Sequence, residues 1–506
     1  MLVFDNLNTS GVTDEVAYDP LLLQLAEYAA SIEHPTGATL HTAALCLADA
    51  VGCAIASLRD PECTRRLGSW VPSSTVADGV PLWATDHVLD PVKAAHDLSV
   101  MVRWLDFSDT TFVGGHPSDN LGALLAVSDY VSRLRLRSGA SPLIMADVYA
   151  SMVGAYEIQG LLAADNHFDH PLIGLDHVIG VKLASTAMAA RLMGADARTI
   201  AAALSSAFLD GHSLNACRHT PNAGSRKGWA GGDAASRGVW LALSAVRGEM
   251  GYPKALSAPT WGFEAVYLSG NSAKLTRPLG SLILDSVIFK LHPCQRNTTT
   301  AVESALRLHG WLSGRWSSIK RITIHTQDEA MRRANKSGPL PNRAARDHSI
   351  QYVVAIALLH GRLTPDDYSD TVANDFRIDW LRERTVVVEN PGYTRDHHDI
   401  AVRSCANAVQ IELEDGAISA LEETTFPAGD PSRRNVTVPA LTEKFHALTS
   451  HFWLEPYRNQ LLARLLDVTT MARMPVPDFM DMLRFDAAHQ CPAQVAALTT
   501  HHSRSL

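Results

Sequence analysis

His41-Thr-Ala-Ala-Leu-Cys-Leu-Ala-Asp-Ala-Val-Gly-Cys-Ala-Ile-Ala-Ser-Leu58 is an alanine-rich stretch that would place apolar residues on almost every side of a helix. A helix of that kind is buried among other helices. Similar stretches cover residues 144–162, 177–193, 199–208 and 234–246, and no fixed repeat length relates them. The sequence therefore predicts a large, irregular helical domain rather than a solenoid.

The pattern changes after about residue 285, where short β-branched runs replace the alanine-rich stretches. Residues 319–326 and 384–389 have the composition of strands, and residues 408–421 predict a hairpin around Asp415-Gly416. Helical patterns return at 441–448, 456–466 and 476–483. We predict a mainly α fold in which residues 1–285 and 426–506 form a large all-helical domain. A smaller α+β domain, residues 286–425, is inserted into it.

Composition limits the classes of function. The chain has 506 residues, a net charge of -9 and interspersed acidic and basic residues, which argues against a nucleic-acid surface. Seven cysteines without a Cys-x-x-Cys pair indicate neither a disulfide framework nor a common zinc or iron-sulfur site. No signal-peptide pattern or membrane-spanning apolar run is present. We expect a cytoplasmic protein without a membrane or nucleic-acid partner.

The segment Asp106-Phe-Ser-Asp-Thr-Thr-Phe-Val-Gly-Gly-His-Pro-Ser-Asp-Asn120 has the composition of an active-site loop. Pro117 fixes φ and Ser118, among its neighbours, can cap the apolar helix that follows. His116 would then lie beside free amide donors that suit a bound carboxylate. The alternative is a capped helix with an exposed loop histidine, and this segment alone does not separate the two.

Two further segments place cations near predicted helix starts. A glycine-rich loop carries Arg226 and Lys227 and ends at Asp233, a suitable N-cap for the next helix. Lys290 and His292 follow an apolar run and precede a second capped helix, an arrangement that favours an anion. The alternatives are a solvated loop lysine for Lys227 and a strand-end lysine facing solvent for Lys290.

Asp176 and His177 stand at the start of another apolar helix. They are either part of a polar site or a simple cap, in which Asp176 bonds the helix start and His177 packs against it. No phosphate-binding loop or dinucleotide fingerprint follows a predicted strand, so the sequence gives no support for a nucleotide cofactor.

Taken together, these segments resemble the family of 2-methylcitrate dehydratases and cis-aconitate decarboxylases, called the MmgE/PrpD family. The resemblance covers nearly the whole chain. It rests on Asp106-Phe-Ser-Asp-Thr110, Gly115-His-Pro-Ser118, Gly174-Leu-Asp-His177, Gly228-Trp-Ala-Gly-Gly-Asp233, Phe289-Lys290 and Arg346-Asp-His-Ser-Ile-Gln-Tyr352. Decarboxylases of the family carry a tyrosine after the first strand of the smaller domain, and none occurs here between Ile322 and Arg346. The chain is therefore more similar to the dehydratase branch.

The resemblance implies that the smaller domain is a lid, that the active site lies between the domains and that the protein is a homodimer. It also implies catalysis without a metal, an iron-sulfur cluster or another cofactor. The positions of this chain that match the family's active site are Asp106, Thr110, His116, Lys227 and Lys290, with a histidine near His177.

The expected reaction removes water from 2-methylcitrate to give 2-methyl-cis-aconitate, a step of the methylcitrate cycle in propionate catabolism. Loss of a proton next to a carboxylate builds up negative charge, which Lys227 and Lys290 would neutralise. We expect Asp106 and His116 to transfer the protons. Substrate-binding roles are predicted for Thr110, Ser118, Arg226 and His292.

Three alternatives stay open on the sequence. The chain could be a cis-aconitate decarboxylase with a related pocket. It could be a hydratase or isomerase of citrate, since one methyl group gives only about 1–3 kcal/mol of discrimination. It could also be a helical dimer that binds polycarboxylates without catalysis.

Overall fold

The computed structural model describes residues 17–491 except 72, 73, 75, 220, 221 and 400. The protein is mainly α-helical, as the sequence predicted. The long helices before residue 285 are Pro20–Ser31, Gly37–Ser57, Pro91–Arg103, Leu121–Arg137, Met145–Asn166, Val178–Leu192, Ala197–Leu209 and Arg226–Val246. Shorter helices in this part are Pro61–Thr64, Phe263–Tyr267 and Leu282–Asp285. The helix Gly37–Ser57 covers all but the last residue of the alanine-rich stretch 41–58.

One predicted helix start is wrong. The helix was expected to begin after an N-cap at Asp233, but it begins at Arg226, so the glycine-rich segment is helical. Its glycines allow other helices to approach closely. A Cβ at Gly231 would lie 2.5 Å from a carboxylate oxygen of Asp119, and one at Gly232 would lie 2.6 Å from the carbonyl oxygen of His96. The glycines therefore serve packing rather than flexibility.

The later part of the chain contains a four-stranded sheet. Its strands lie in the order Thr385–Glu389, Ile319–Thr326, Asn407–Leu413 and Glu422–Thr424, with the first pair parallel and the others antiparallel. The predicted hairpin around Asp415-Gly416 is present, although its second strand starts later than expected. Helices in this part are Thr299–Leu312, Asp328–Ala334, Arg343–Arg346, Ile350–His360, Asp370–Ala373, Phe376–Glu383 and Pro391–His398.

The last described residues return to helix at Arg434–Thr449, Glu455–Leu466, Val468–Arg473 and Val476–Met482. A two-stranded ladder of Val80–Pro81 with Val88–Leu89 completes the regular strands of the described residues. Single turns of 3-10 helix include Pro117–Asn120, Asn215–Arg218 and Arg296–Thr298. These three turns each lie beside the cavity described below.

Buried apolar side chains form two large clusters. The first runs from Leu21 to Phe289 and resumes at Leu441, whereas the second runs from Cys294 to Leu413. The helix Gly37–Ser57 is long and apolar enough to cross a membrane by length and composition alone. It lies in the first cluster, and 67% of its most apolar window is buried there. The chain thus leaves one core after Phe289 and rejoins it by Leu441.

Candidate active site

The loop from Asp106 to Asn120 is held by its backbone. Asp106 adopts a left-handed conformation with φ 51°, which is uncommon outside glycine. Thr110 and Ile288 exchange two backbone hydrogen bonds of 2.8 Å, so the loop is fixed to the segment that leads into Lys290. The Thr110 hydroxyl donates to the Gly115 carbonyl oxygen at 2.7 Å and closes the loop. The 3-10 turn Pro117–Asn120 then leads into the predicted helix.

Asp106 is buried at the centre of a cationic cluster. One carboxylate oxygen lies 2.8 Å from the Lys290 ammonium and 2.9 Å from the Arg103 guanidinium. The other oxygen lies 2.8 Å from the Lys227 ammonium. Burial by itself would raise the pKa of Asp106, but the three cations outweigh it and hold the pKa well below its usual range. Asp106 therefore stays ionised, which favours an anchoring role over proton transfer.

Several hydrogen bonds hold the side chain and backbone of Lys290 in place. Its ammonium donates to both the carboxylate and the backbone carbonyl of Asp106, which stabilises the left-handed residue. Lys444, from the late helix Arg434–Thr449, donates to the carbonyl oxygens of Lys290 at 2.8 Å and Phe107 at 2.6 Å. The Lys444 ammonium also lies 2.6 Å from Asp49. Lys290 thus organises the cluster from behind and does not line the cavity.

Lys227 connects the two apolar clusters. Its ammonium lies 2.8 Å from Asp106, 2.6 Å from Asp347 and 3.0 Å from Nδ1 of His348. One ligand-type atom from each of these three partners lies within 4.8 Å of the others, a spacing that could hold a metal ion. The lysine ammonium lies among these atoms and supplies the positive charge there.

A second aspartate–histidine pair, Asp176 with His177, lies inside the helical part. Nδ1 of His177 lies 3.0 Å from Asp176, and Nε of Arg218 lies 2.9 Å from the same carboxylate oxygen. Burial would raise the pKa of Asp176, but Arg218 and His177 lower it strongly. Asp176 does not cap the following helix, which begins at Val178 without a side-chain cap. The simple cap considered for Asp176 is therefore wrong.

These groups surround a cavity of about 120 Å³ between the two clusters. Buried nitrogen atoms without a hydrogen-bond partner among the described residues belong to four of its lining side chains: Nδ1 of His116, Nε2 of His177, Nη2 of Arg218, and Nε and Nη1 of Arg103. The Arg103 guanidinium is nevertheless in an ion pair with Asp106. Burial lowers the pKa of both histidines, so both imidazoles are neutral at neutral pH. In each neutral ring the proton lies on the nitrogen that faces the aspartate, so Nδ1 of His116 and Nε2 of His177 are acceptors, whereas Nη2 of Arg218 is a donor. Unpaired buried polar atoms are costly, and a ligand that carries both a hydroxyl group and carboxylates would satisfy them.

The remaining walls differ in character. Val113, Ala163, Phe168 and Ile179 give one apolar side, whereas Arg296 and Arg333 add cations from the later part of the chain. Arg333 forms a 2.7 Å ion pair with Asp169 across the rim. Within the described residues, Arg296 has no carboxylate partner and contacts the Cys405 sulfur at 3.3 Å. The cavity therefore combines a cationic wall for carboxylates with an apolar wall for a small alkyl group.

The predicted residues do not all meet at this cavity. Asp106, Thr110, His116 and His177 line it. Ser118 is fully buried behind the loop, where its backbone N–H donates to Asp109 at 3.3 Å. The Asp106 loop therefore lies at the centre of a polar site, whereas Ser118 has a structural position.

Arg226 and His292 lie elsewhere. Arg226 pairs with Asp233 at 2.9 Å and stacks on Trp229 instead of reaching the cavity. His292 borders a different cleft, and burial lowers its pKa to about 4. The sequence placed both near cations that do reach the cluster, but it gave no information on side-chain direction.

Sequence reasoning named neither the Asp347–His348 pair nor the two arginines Arg103 and Arg218 as site residues. His348 lines the cavity with Nδ1 lying 2.8 Å from Asp347, and burial lowers its pKa to about 4. The available signal was the segment Arg346-Asp-His-Ser-Ile-Gln-Tyr352, which repeats the Asp-His order of residues 176–177. Both Asp-His pairs are neighbours in sequence and both carry a cation.

Comparison with known proteins agrees with this geometry. The model of the MmgE/PrpD N-terminal domain matches residues 23–276, and the model of the C-terminal domain matches residues 292–467. The chain is 44% identical to 2-methylcitrate dehydratase of Cupriavidus necator, over 92% of this chain and 97% of the relative. It is 42% identical to 2-methylcitrate dehydratase of Escherichia coli strain K12, with the same coverage. A Yarrowia lipolytica relative, named as mitochondrial 2-methylcitrate dehydratase, is 43% identical over 86% of this chain and 83% of its own length.

Proposed function

The chain belongs to the MmgE/PrpD family, and from that premise we propose that it is a hydro-lyase acting on 2-methylcitrate. The reaction gives 2-methyl-cis-aconitate and water. One observation carries the assignment to this cavity: unpaired nitrogen atoms of His116, His177 and Arg218 converge on it beside a buried cationic cluster. A tricarboxylate with a hydroxyl group brings acceptor oxygens for Arg218 and a donor for the imidazole lone pairs.

The chemistry explains why cations dominate the site. Removing a proton next to a carboxylate leaves extra negative charge, which buried cations stabilise more strongly than water does. Arg103, Lys227 and Lys290 surround the carboxylates of Asp106 and Asp347. The cluster is therefore cationic as a whole when its histidines are neutral.

We propose that the elimination proceeds without a metal ion. The support is the position of the Lys227 ammonium, which lies between Asp106, Asp347 and His348 where a divalent ion would find ligands. A fixed ammonium provides charge stabilisation and hydrogen-bond donors at that point. The family resemblance implied a cofactor-free enzyme, and the proposal keeps that expectation.

The proposed roles follow the contacts. His116 transfers a proton, and His177 contacts the substrate through its free Nε2 atom. Asp106 holds the cations in place, and Lys227 neutralises charge with Lys290 behind it. Thr110 closes the loop and lines the cavity. Arg226, His292 and Ser118 are left out of the substrate site because none of them lines this cavity. Arg226 pairs with Asp233, His292 borders a different cleft, and Ser118 is buried.

The apolar wall favours methylcitrate over citrate. Val113, Ala163, Phe168 and Ile179 provide space for a methyl group that citrate does not have. A single methyl group in an apolar pocket contributes about 1–3 kcal/mol, so citrate would remain a weaker substrate rather than a rejected one. The proposed step is part of the methylcitrate cycle of propionate catabolism.

The larger organisation is also a proposal. Residues 286–425 would act as a lid, because His348 and Arg333 reach the cavity from the second apolar cluster. A homodimer is supported by an exposed apolar surface on the helical part. There Leu209 and Trp240 flank the ion pair of Asp210 with Arg237. Sedimentation of Trp240→Glu against the wild type tests this: we expect a dimer to become a monomer.

A cytoplasmic location stays a prediction. The Yarrowia relative is named as mitochondrial, so members of the same family are placed in different compartments. Fractionation of cells that express the full chain tests the location directly.

The function is tested by a chelator-treated assay of the purified protein with 2-methylcitrate and, separately, with citrate. Ultraviolet absorbance detects the conjugated alkene and mass spectrometry identifies the product. We expect 2-methyl-cis-aconitate at an undiminished rate after chelation. Itaconate and carbon dioxide from added cis-aconitate would instead identify a decarboxylase. Binding of the substrates without turnover would identify a polycarboxylate-binding protein.

A further inference from the structure

Two imidazoles that line the cavity lie on opposite oxygens of one carboxylate. Nε2 of His116 is 3.1 Å from one oxygen of Asp106, and Nδ1 of His348 is 3.8 Å from the other. His116 comes from the helical part. His348 comes from the part of the chain that forms the second apolar cluster. The pair therefore brackets the space above Asp106 from both sides of the cavity.

The contacts of His348 determine which of its ring nitrogens is free. Nδ1 lies 2.8 Å from the Asp347 carboxylate, which only accepts, and 3.0 Å from the Lys227 ammonium, which only donates. The ammonium has nearer acceptors in Asp106 at 2.8 Å and Asp347 at 2.6 Å, so we assign the tautomer in which Nδ1 carries the proton and bonds Asp347. Nε2 of His348 has no hydrogen-bond partner within the described parts of the chain. Its lone pair is the ring's available base.

We propose that His348 is a catalytic residue of the dehydration, and that its Nε2 atom accepts the proton from the substrate carbon next to a carboxylate. His116 is the group that protonates the departing hydroxyl. This inference rests on the proposed function and assigns the base that the reaction needs. It also replaces Asp106, which the sequence suggested as a proton carrier, with a residue that titrates in a more useful range.

The contacts of the two histidines set the direction of transfer. Burial and the Lys227 ammonium lower the pKa of His348 to about 4, so its ring is a neutral base at neutral pH. Burial and Arg103 also hold the pKa of His116 well below its usual range, but the Asp106 carboxylate, 3.1 Å from Nε2, stabilises the protonated ring. The negative charge of an incoming tricarboxylate favours the protonated form of His116.

The proposed step balances without another reactant. The C–H bond breaks, its proton forms an N–H bond at His348, and its electron pair becomes the new carbon–carbon double bond. The C–O bond breaks toward oxygen, and a proton from the His116 imidazolium converts the departing hydroxide into water. His348 then holds one additional proton and His116 one fewer. Exchange with water after product release restores both rings.

The variant His348→Asn tests this role with little change at Nδ1. The asparagine amide can still reach Asp347 and Lys227, but it has no group at the position of Nε2. We expect kcat to fall about 10²–10⁴-fold while KM stays within about threefold, as expected for loss of a proton-transfer group. The primary isotope effect with substrate deuterated at the reacting carbon should rise, because C–H cleavage becomes slower than the other steps.

The variant His348→Ala adds a readout that a structural role would not produce. It leaves space for free imidazole, and we expect added imidazole to restore turnover in a concentration-dependent manner. His398→Asn is the matched control. His398 is also paired with an aspartate, Asp328 at 2.9 Å, but it is exposed and does not line the cavity. That variant should keep the wild-type kcat and isotope effect.

Several outcomes would overturn the assignment. One is a kcat of His348→Asn within about threefold of the wild type, far from the loss expected of a base. Another is a large loss with an unchanged isotope effect and no imidazole rescue, which would make His348 a positioning residue. Failure of the proposed function is distinguishable, because the wild type would then form no alkene from 2-methylcitrate or citrate. That result would remove this inference together with the function.

Discussion

The Asp176–His177 and Asp347–His348 pairs use the same two neighbouring residue types, but they obtain their cations differently. Asp176 pairs with Arg218, and both residues lie in the part of the chain that forms the first apolar cluster. Asp347 lies in the part that forms the second cluster and pairs with Lys227 of the helical part, whose ammonium also pairs with Asp106. The first pair is therefore complete within the helical part, whereas the second is complete only where the two parts meet.

This difference assigns separate tasks to the two pairs. A pair that is built locally can present a substrate contact without the other part of the chain. Under the proposed lid role of residues 286–425, the pair that needs the interface is assembled only when the cavity closes, which ties proton transfer to the exclusion of water. Variants that affect one pair at a time test this distinction.

The largest effect is expected from Lys227→Ala. It leaves the buried carboxylates of Asp106 and Asp347 without their shared cation, and removal of one partner of a buried ion pair costs about 3–5 kcal/mol. We expect kcat to fall at least about 10³-fold, together with a lower midpoint in denaturant unfolding. Steady-state kinetics and urea unfolding measure both effects.

Lys182→Ala is a control for removal of a buried lysine that does not reach the cluster. Lys182 lies 3.7 Å from Asp210 and donates to backbone carbonyls. The Lys182→Ala variant should unfold at a lower denaturant concentration than the wild type but keep more activity than Lys227→Ala. Equal kinetic losses in the two variants would contradict the special position of Lys227.

Arg218→Ala should have the second largest effect and should act on the local pair alone. It removes the Nη2 donor from the cavity and leaves Asp176 paired with the His177 imidazole and the Cys217 thiol. We expect kcat/KM to fall about 10²-fold, equivalent to about 2.7 kcal/mol of lost binding in the transition state. The loss should lie mainly in KM, since the group binds substrate. An unchanged KM with a large drop in kcat would reverse the roles of the two pairs.

The pH dependence of stability should change in His348→Asn. The folded pKa of about 4 lies below the ordinary value of 6.5, so the unfolded chain binds more protons between those values. Wild-type stability therefore falls as pH drops through that window. From pH 7 to pH 5 the wild type should lose about 2 kcal/mol more than the variant. Urea unfolding at both pH values measures the difference, and parallel pH profiles would contradict it.

The smallest effect is expected from Arg333→Gln at the rim. Its ion pair with Asp169 links the two parts but is partly exposed, and such pairs contribute about 0–1 kcal/mol. Its second ion pair, with Glu329, lies within one helix, and Arg332 still pairs with Glu329 in the variant. We expect a small rise in KM with little change in kcat or in the unfolding midpoint. Titration with substrate at low and high salt measures it. A loss comparable to that of Lys227→Ala would mean that the rim, rather than the interface beneath it, assembles the second pair.

Much of the fold followed from local patterns. Apolar periodicity placed the helix Gly37–Ser57 and the strand Ile319–Thr326 close to their actual bounds. The glycine-rich segment before Asp233 was misread because glycine weakens a helix in isolation. In the folded protein those glycines are needed for contact with Asp119 and its neighbours, and packing outweighs the intrinsic preference.

The sequence predicted only those parts of the candidate site that form recognisable local motifs. The Asp106 loop was recognisable because it concentrates polar residues before a helix, and Lys227 and Lys290 were recognisable beside their motifs. His348 and Arg218 were missed as site residues because neither lies near that loop in sequence. The direction of Arg226 and His292 was likewise invisible, since side-chain direction depends on which helix or strand packs against the residue.

The sequence by itself determined the helical class, the change to strands near residue 285, the family and the loop around Asp106. Only the tertiary structure decided that Asp106 is an anchor between cations, and that His348 shares its cavity with His116. The physical reason is that these roles depend on burial and on charges brought together across the chain. Periodicity reports local burial, whereas a pKa or an ion pair depends on distances between residues far apart in sequence.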